Sequence, residues 1–351
     1  MRRARPREGL RDVEPYAAPQ LEVAARLNTN ECPHPLPEDF SRDLAQAVRD
    51  LPLNRYPDRE AERLREELAE HAGHAPEGTW AANGSNEIIQ QLLLAYGGPG
   101  RRMLVFEPTY VMHRRIAWIA HTEVVQLRLD PPFAIDSGDV QAAVAERPDV
   151  VFVCSPNNPT GNTQPVWAVE ELAEATNALV VVDEAYVEFG GQSALPLTER
   201  LPNVVVVRTF SKAFAMAGAR MGYCLTDPSV IDDLRRVRLP YHLSAITQAA
   251  GLAALHHVAE AEAILGWIRD ERDRIVRELG AMDGVEVFPS DANFVLFRSS
   301  RPAQEVWQGL LDRGVLVRDL SDVVDGALRV TAGAAHEIDL FLEAMKEVLA
   351  G

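Results

Sequence analysis

The chain has 351 residues, of which 47% are hydrophobic and 25% are charged, and its formal net charge is −17 at pH 7. This composition suits a globular protein with a sizeable core, and the acidic surplus argues against a nucleic-acid or anionic-membrane partner. Three widely spaced cysteines argue against a disulfide framework, and the basic start is followed by no apolar segment, so we expect a cytoplasmic protein without a membrane span.

Residues 1–37 are rich in proline and polar residues, which predicts an arm that packs against another part of the protein. The first clear helix is predicted in "AERLREELAEHAG", where leucines recur every four residues and a glycine ends the pattern. "NEIIQQLLLAYGGPG" predicts a second helix, and "RRMLVFEP" predicts a short strand that is stopped by proline.

Three later segments repeat one pattern, an apolar strand followed by a polar turn. They are "DVVFVCSPNNPTG", "ALVVVDEAYVEF" and "NVVVVRTFSK". Strands that alternate with helices predict an α/β fold with a mostly parallel, doubly wound sheet, which we assign to a large domain over residues 38–243. A long helical region over 244–282, short strands and a helix over 335–349 predict a smaller α+β domain over 244–351.

Polar side chains follow the predicted strands, at the edge of a parallel sheet where ligands bind. "GSNE" adds a helix amino terminus, whose free backbone amides favour a phosphate. These candidate positions are Asn157, Asp183, Tyr186, Thr209, Ser211 and Lys212 at the strand ends and Gly84, Ser85 and Asn86 at the helix.

The combination suits pyridoxal 5'-phosphate, because a lysine can form a Schiff base with an aldehyde and a carboxylate can hold a pyridinium nitrogen protonated. Asn157 and Tyr186 could bond the ring hydroxyl, and Arg220 could grip the phosphate. Each feature alone has a simpler interpretation, such as a solvated lysine, a magnesium site or helix start at Asp183, or a plain turn at Asn157. The joint order and spacing favour the cofactor.

Here the sequence resembles a known family. "SPNNPTG", "VVVDEAYVEF" and "RTFSKAFAMAGARMGY" resemble the signature segments of class I/II, fold-type I pyridoxal-phosphate aminotransferases, and the resemblance covers nearly the whole chain. "LNRYPDREAERL", "AANGSNEIIQQLL", "DANFVLF" and "ALRVTAG" are similar to the subfamily of histidinol-phosphate aminotransferases.

The resemblance implies roles for individual residues. Lys212 would hold the cofactor and move the substrate proton, Asp183 would pair with the pyridine nitrogen, and Tyr110 would stack on the ring. Tyr56 would reach the cofactor phosphate of a partner subunit, which implies a homodimer. The phosphate would be surrounded by Ser85, Asn86, Thr209, Ser211 and Arg220.

The resemblance also implies a substrate site made by Tyr16, Asn30, Arg318 and Arg329. Arg329 would take the carboxylate of glutamate and Arg318 the distal anionic group, although a surface ion pair is the simpler interpretation of these arginines. The implied reaction interconverts L-histidinol phosphate and 2-oxoglutarate with imidazole-acetol phosphate and L-glutamate in histidine biosynthesis. The sequence departs from the subfamily pattern in "NEC", in "GSNE" and in the alanine before Arg220.

Alternatives remain open at this point. The same scaffold would suit an aromatic amino-acid aminotransferase or a threonine-phosphate decarboxylase. A nucleotide-binding regulatory protein would use the fold without catalysis, and a dehydrogenase would need a GxGxxG fingerprint that does not follow the first strand. The histidine pairs 71/74 and 256/257 lack the further ligands of a zinc site, so no metal is expected.

Overall fold

The computed structural model describes residues 19–350 together with residues 4, 7, 9, 10, 13 and 15. Its larger part is built on a seven-stranded sheet in the order β2-β8-β7-β6-β5-β3-β4. The strands are β2 (Thr79–Ala82), β3 (Arg102–Glu107), β4 (Glu123–Arg128), β5 (Val150–Cys154), β6 (Leu179–Asp183), β7 (Val204–Thr209) and β8 (Gly222–Leu225).

Five neighbouring strands, β7, β6, β5, β3 and β4, run parallel, and β8 lies antiparallel between β7 and β2. All five residues of β5 and of β6 are buried, as are the four valines of β7. Such runs are typical of parallel strands with both faces covered. The predicted mostly parallel sheet is therefore confirmed.

Helices cover both faces of this sheet because successive strand residues point to opposite sides. On one face, Val150 and Phe152 pack in a core with α3 (Ser85–Tyr96), α4 (Val111–Ile119) and α7 (Pro228–Val237). On the other face, Val151 and Val153 pack with α5 (Ser137–Ala145) and α6 (Val166–Ala175). This is the doubly wound arrangement that the alternating pattern predicts. Helices α1 (Glu38–Arg49) and α2 (Glu62–Ala72) precede the sheet.

The C-terminal part contains a second, antiparallel sheet in the order β12-β13-β10-β9. Helices α8 (Ala245–His256) and α9 (Val258–Gly280) lead into it, and α10 (Ala303–Asp312) and α11 (Ala335–Ala350) pack beside it. The strands are β9 (Val285–Val287), β10 (Phe294–Ser299), β12 (Arg318–Asp319) and β13 (Ala327–Thr331).

A short parallel pair connects the two ends of the chain. Strand β1 (Ala25–Arg26) pairs with β11 (Val315–Leu316), so part of the predicted arm is attached to the C-terminal part. Leu27 and Thr331 continue the contact through a backbone hydrogen bond of 2.9 Å. The residues after β1 are thereby held beside the C-terminal sheet. No helix within the described ranges is long and apolar enough to cross a membrane.

Candidate active site

The carboxyl ends of β5, β6 and β7 open into a cavity of about 400 Å³. Asp183 ends β6 directly beside Cys154 of β5 and Val207 of β7, so the residues that follow these strands meet at one edge of the sheet. The cavity brings together most of the predicted site residues: Asn30, Ser85, Asn86, Tyr110, Asp183, Tyr186, Thr209, Ser211, Lys212, Arg220, Arg318 and Arg329.

Lys212 is the nucleophilic group of this cavity. Its Nζ donates hydrogen bonds to the backbone oxygens of Asn30 at 2.8 Å and Thr29 at 3.3 Å. Burial, with help from the positive charges of Arg329 and Arg220, lowers the pKa of Lys212 to about 8, although Glu31 opposes the shift. A lowered pKa supplies the neutral amine that attacks a carbonyl carbon.

Asp183 is oriented by two hydrogen bonds, one of them from a histidine that the sequence analysis missed. Nε2 of His113 lies 2.9 Å from Oδ2 of Asp183, and the amide of Ala185 donates to Oδ1 at 3.2 Å. Asp183 is 2% exposed and His113 is fully buried. The His113 ring stacks on Phe152 with centroids 4.7 Å apart. Because a carboxylate only accepts hydrogen bonds, Nε2 carries the proton that is shared with Asp183.

The first turn of α3 and the turn after β7 form an anion cradle. Gly84 caps α3 with φ +79°, and a Cβ added there would lie 2.6 Å from an Nη atom of Arg220. Nη1 of Arg220 is 3.3 Å from Oγ of Ser211, which is 3.0 Å from Oγ1 of Thr209. Helix amides, hydroxyls and a guanidinium are the donors that a phosphate requires, and only glycine allows this close approach. The cradle therefore fits the phosphate of the expected cofactor.

The structure places the two adjacent asparagines of "SPNNPTG" differently. Asn157 is directed away from the cavity, because its amide donates to the Pro108 oxygen at 2.8 Å and to Oγ1 of Thr160 at 2.7 Å. Asn158 lines the cavity instead, and its Nδ2 is 3.4 Å from Oη of Tyr186. The sequence pattern selected Asn157, and the two neighbours become distinguishable only through their hydrogen bonds.

Tyr186 and Asn30 form another part of the cavity wall. Nδ2 of Asn30 donates to Oη of Tyr186 at 3.0 Å, and both residues are buried. Oγ1 of Thr331 lies 3.0 Å from the Asn30 amide nitrogen and 3.1 Å from its Oδ1, which fixes the side chain. Burial also raises the pKa of Tyr186 above its ordinary value, so its hydroxyl stays protonated.

Arg318 and Arg329 lie side by side on neighbouring strands of the C-terminal sheet. They are directly paired residues of β12 and β13, an arrangement in which like charges destabilise a sheet unless an anion lies near. Arg329 is only 7% exposed, so a surface ion pair does not describe it. Its guanidinium donates to Oδ1 of Asn158 at 2.6 Å and to the Asn28 oxygen at 3.0 Å.

Besides Asn157 and Gly84, the described residue Tyr56 does not line the cavity. Tyr56 is 80% exposed and stacks on Tyr241 with ring centroids 4.4 Å apart, so its role toward a partner subunit stays a prediction. Tyr16 lies outside the described residues. In the part of the chain that the structure describes, no group of three or more histidine, cysteine, aspartate or glutamate side chains is placed to hold a metal ion.

The edge of the doubly wound sheet thus carries a lysine with a lowered pKa, a buried carboxylate and an anion cradle. This combination is typical of α/β enzymes that bind a substrate or cofactor covalently through a lysine amine. Residues 24–348 match the family described as aminotransferase class I and II, and the chain belongs to this family. The family and the fold expected from the sequence motifs are thus confirmed.

Known proteins similar to this chain agree with that assignment. A histidinol-phosphate aminotransferase of Streptomyces avermitilis is 52% identical, over 97% of this chain and 96% of that protein. One of Frankia casuarinae is 50% identical, over 98% and 90%. The crystal structure of histidinol-phosphate aminotransferase from Sinorhizobium meliloti, in complex with pyridoxal-5'-phosphate, has a TM-score of 0.84 at 27% identity and covers 94% of this chain and 92% of that one.

Proposed function

We propose that this protein is a pyridoxal-phosphate-dependent histidinol-phosphate transaminase, a cytoplasmic homodimer of histidine biosynthesis. It would interconvert L-histidinol phosphate and 2-oxoglutarate with imidazole-acetol phosphate and L-glutamate. The observation that carries the proposal is the cavity that joins Lys212, Asp183 and two arginines from a second sheet. The names of relatives about half identical over nearly the whole chain support this choice of substrates.

The residues present fit pyridoxal phosphate at each of its functional groups. Lys212 would attach its aldehyde, Asp183 would accept a hydrogen bond from its protonated ring nitrogen, and Asn158 with Tyr186 would bond its ring hydroxyl. Its phosphate would lie in the cradle at Gly84, Ser85, Asn86, Thr209, Ser211 and Arg220. When bound, the cofactor withdraws electrons from the substrate carbon and stores the amino group between the two half-reactions.

The chain's own residues then carry the proton chemistry. With its pKa lowered to about 8, Lys212 can both accept and return a proton near neutral pH. The carbonyl oxygens of Asn30 and Thr29 hold Nζ at one end of the cavity, so that the amine has a defined position when it is free. His113 keeps the Asp183 carboxylate in one orientation, which fixes where the positive charge on the cofactor ring is stabilised.

Two arginines explain how one site accepts two different anions. Guanidinium groups bind carboxylate and phosphate alike through paired N–H donors. Arg329 would hold the carboxylate of glutamate or 2-oxoglutarate, and Arg318 would help to bind the distal anionic group. Both substrates present an anion, so the same pair serves both half-reactions without rebuilding the site.

The homodimer is proposed from Tyr56. Its side chain lies on the surface of this chain beside Tyr241, where it would reach the cofactor phosphate of a partner subunit. Replacement of Tyr56 by phenylalanine would then lower cofactor affinity without changing the fold. Complementation of this variant by a Lys212→Ala subunit, in mixed dimers, would show that the tyrosine acts across the subunit boundary.

The decisive experiment follows the visible spectrum of the protein reconstituted with pyridoxal phosphate. L-Histidinol phosphate, added without an oxo acid, should convert the yellow form to the pyridoxamine form, and 2-oxoglutarate should restore it. Lys212→Ala should abolish the conversion, while Lys346→Ala, the matched control at the exposed second lysine, should not. Release of carbon dioxide would identify a decarboxylase instead, and preferential turnover of phenylalanine an aromatic aminotransferase.

A further inference from the structure

One hydrogen-bonded contact links the two sheets away from the cavity. Oγ1 of Thr163, in the loop after β5, donates to Oδ2 of Asp291 at 2.6 Å, just before β10. The Asp291 amide in turn donates to the Gly161 oxygen at 2.8 Å. We call Gly161, Thr163 and Asp291 the Asp291 clamp. None of its three residues lines the cavity.

Glycines in and around the clamp pack closely against its residues and their neighbours. A Cβ on Gly191 would collide with Oγ1 of Thr163, and one on Gly161 would lie 2.5 Å from Oγ of Ser290. A Cβ on Gly190 would lie 3.2 Å from the backbone oxygen of Asp291. Because Gly161 and Gly190 allow this close approach to Ser290 and Asp291, the clamp is a fixed point of contact between the two parts.

Both sides of the clamp lead directly to cavity residues. On one side, the loop that ends at Thr163 carries Asn158, whose Oδ1 accepts a hydrogen bond from Arg329. On the other side, Asn293 lies two residues after Asp291 and its Nδ2 donates to the Asn30 oxygen at 3.2 Å. That same oxygen accepts the hydrogen bond from Nζ of Lys212. The clamp is thus connected through Asn158 to the arginine that would bind the substrate anion, and through Asn293 and Asn30 to the lysine that would bind the cofactor.

We propose that the Asp291 clamp is a positioning device that sets the separation of Arg329 and Lys212, and through it the affinity for anionic substrates. This inference rests on the proposed function, because it assigns the substrate anion to Arg329. A substrate must reach the arginine with one end and the lysine with the other. If the sheets lose their fixed point, binding must also order their relative position, and the observed affinity falls by that cost.

The test compares Thr163→Val with Thr163→Ser in the holoenzyme. The valine variant should raise KM for L-histidinol phosphate and for 2-oxoglutarate by about five- to twentyfold, the lower part of the usual range of coupling between sites. Its kcat should stay within about threefold, and its affinity for pyridoxal phosphate should be unchanged. The serine variant keeps the hydroxyl and should restore KM. Asp291→Ala, which removes the acceptor, should resemble the valine variant.

Thr176→Val is the matched control, because Oγ1 of Thr176 makes a comparable bond to the Leu172 oxygen at the end of α6 without linking the sheets. An unchanged KM in Thr163→Val, or an equal KM increase in Thr176→Val, would overturn the inference. Binding of maleate, an unreactive dicarboxylate, tests the clamp separately from the proposed transaminase function. If the wild type ignores histidinol phosphate, the proposed function fails, and weaker maleate binding by Thr163→Val alone still supports the clamp.

Discussion

The titration of Lys212 should differ sharply from that of an ordinary lysine. Its pKa is lowered from 10.5 to about 8, first because burial disfavours the charged amine and then because Arg329 and Arg220 repel it. At pH 7.5 about a quarter of Lys212 would be neutral, against about one in a thousand for a lysine at 10.5. The neutral fraction should therefore be roughly two hundred times larger.

The chain offers its own control, since Lys212 and Lys346 are its two lysines and Lys346 is exposed on α11. We would strip the cofactor, label trace amounts of amine at a series of pH values, and quantify each lysine by mass spectrometry. The labelling rate of Lys212 should level off above about pH 8, well below the pH range in which an ordinary lysine loses its proton. Since the folded-state pKa is the lower one, folding stability gained from this group should also increase with pH between about 8 and 10.5.

Arg329→Gln isolates one cause of the shift. Loss of this positive charge should raise the pKa of Lys212 toward its ordinary value and reduce its labelling rate at pH 7.5 by a factor of up to about ten. Burial is the larger cause, so a clear shift should remain in the variant. A wild-type Lys212 that titrates at the ordinary lysine value would refute the electrostatic argument.

Three further predictions concern groups around the cavity. His113→Asn should lower kcat about tenfold or more and should also lower the unfolding midpoint, because the buried Asp183 loses a charge-assisted hydrogen bond. Gly84→Ala should weaken pyridoxal-phosphate binding about tenfold or more in a fluorescence titration, because the added Cβ would displace Arg220 and the residue would be strained at φ +79°. Glu184→Ala should cost about 3–5 kcal/mol in chemical denaturation, because it leaves the largely buried Arg208 without the carboxylate at 2.9 Å.

The sequence was most informative where one short segment decides the structure. The apolar runs of β5, β6 and β7 predict buried parallel strands, because a strand covered on both faces requires apolar residues at every position. Their carboxyl ends then had to meet, and the structure brings Asp183 and Lys212 into one cavity as expected. Glycine at position 84 before a helical pattern likewise predicts the helix amino terminus that opens the anion cradle.

Contacts between distant segments were not predictable in the same way. His113 lies three residues after Tyr110, on the same side of α4, but nothing in that spacing says that Asp183, 70 residues later, lies against it. The pairing of β1 with β11 joins segments of two residues each, too short for any periodic pattern. Asn157 and Asn158 share both residue type and local sequence, and only Pro108, Thr160 and Tyr186 decide which of them faces the cavity.

The backbone of the segment after β1 also contributes to the site, through contacts that the sequence did not predict. Its pairing with β11 places the Asn28, Thr29 and Asn30 carbonyls between the sheets, where Arg329 donates to the first and Lys212 to the other two. A backbone carbonyl carries the same acceptor whatever the side chain, so sequence reasoning that follows side-chain chemistry leaves it out. These carbonyl oxygens accept hydrogen bonds from Arg329 and Lys212, which offsets part of the cost of burying the two side chains. Displacement of this segment would leave Lys212 and Arg329 facing each other with fewer acceptors, which links the integrity of β1 to the titration of the lysine.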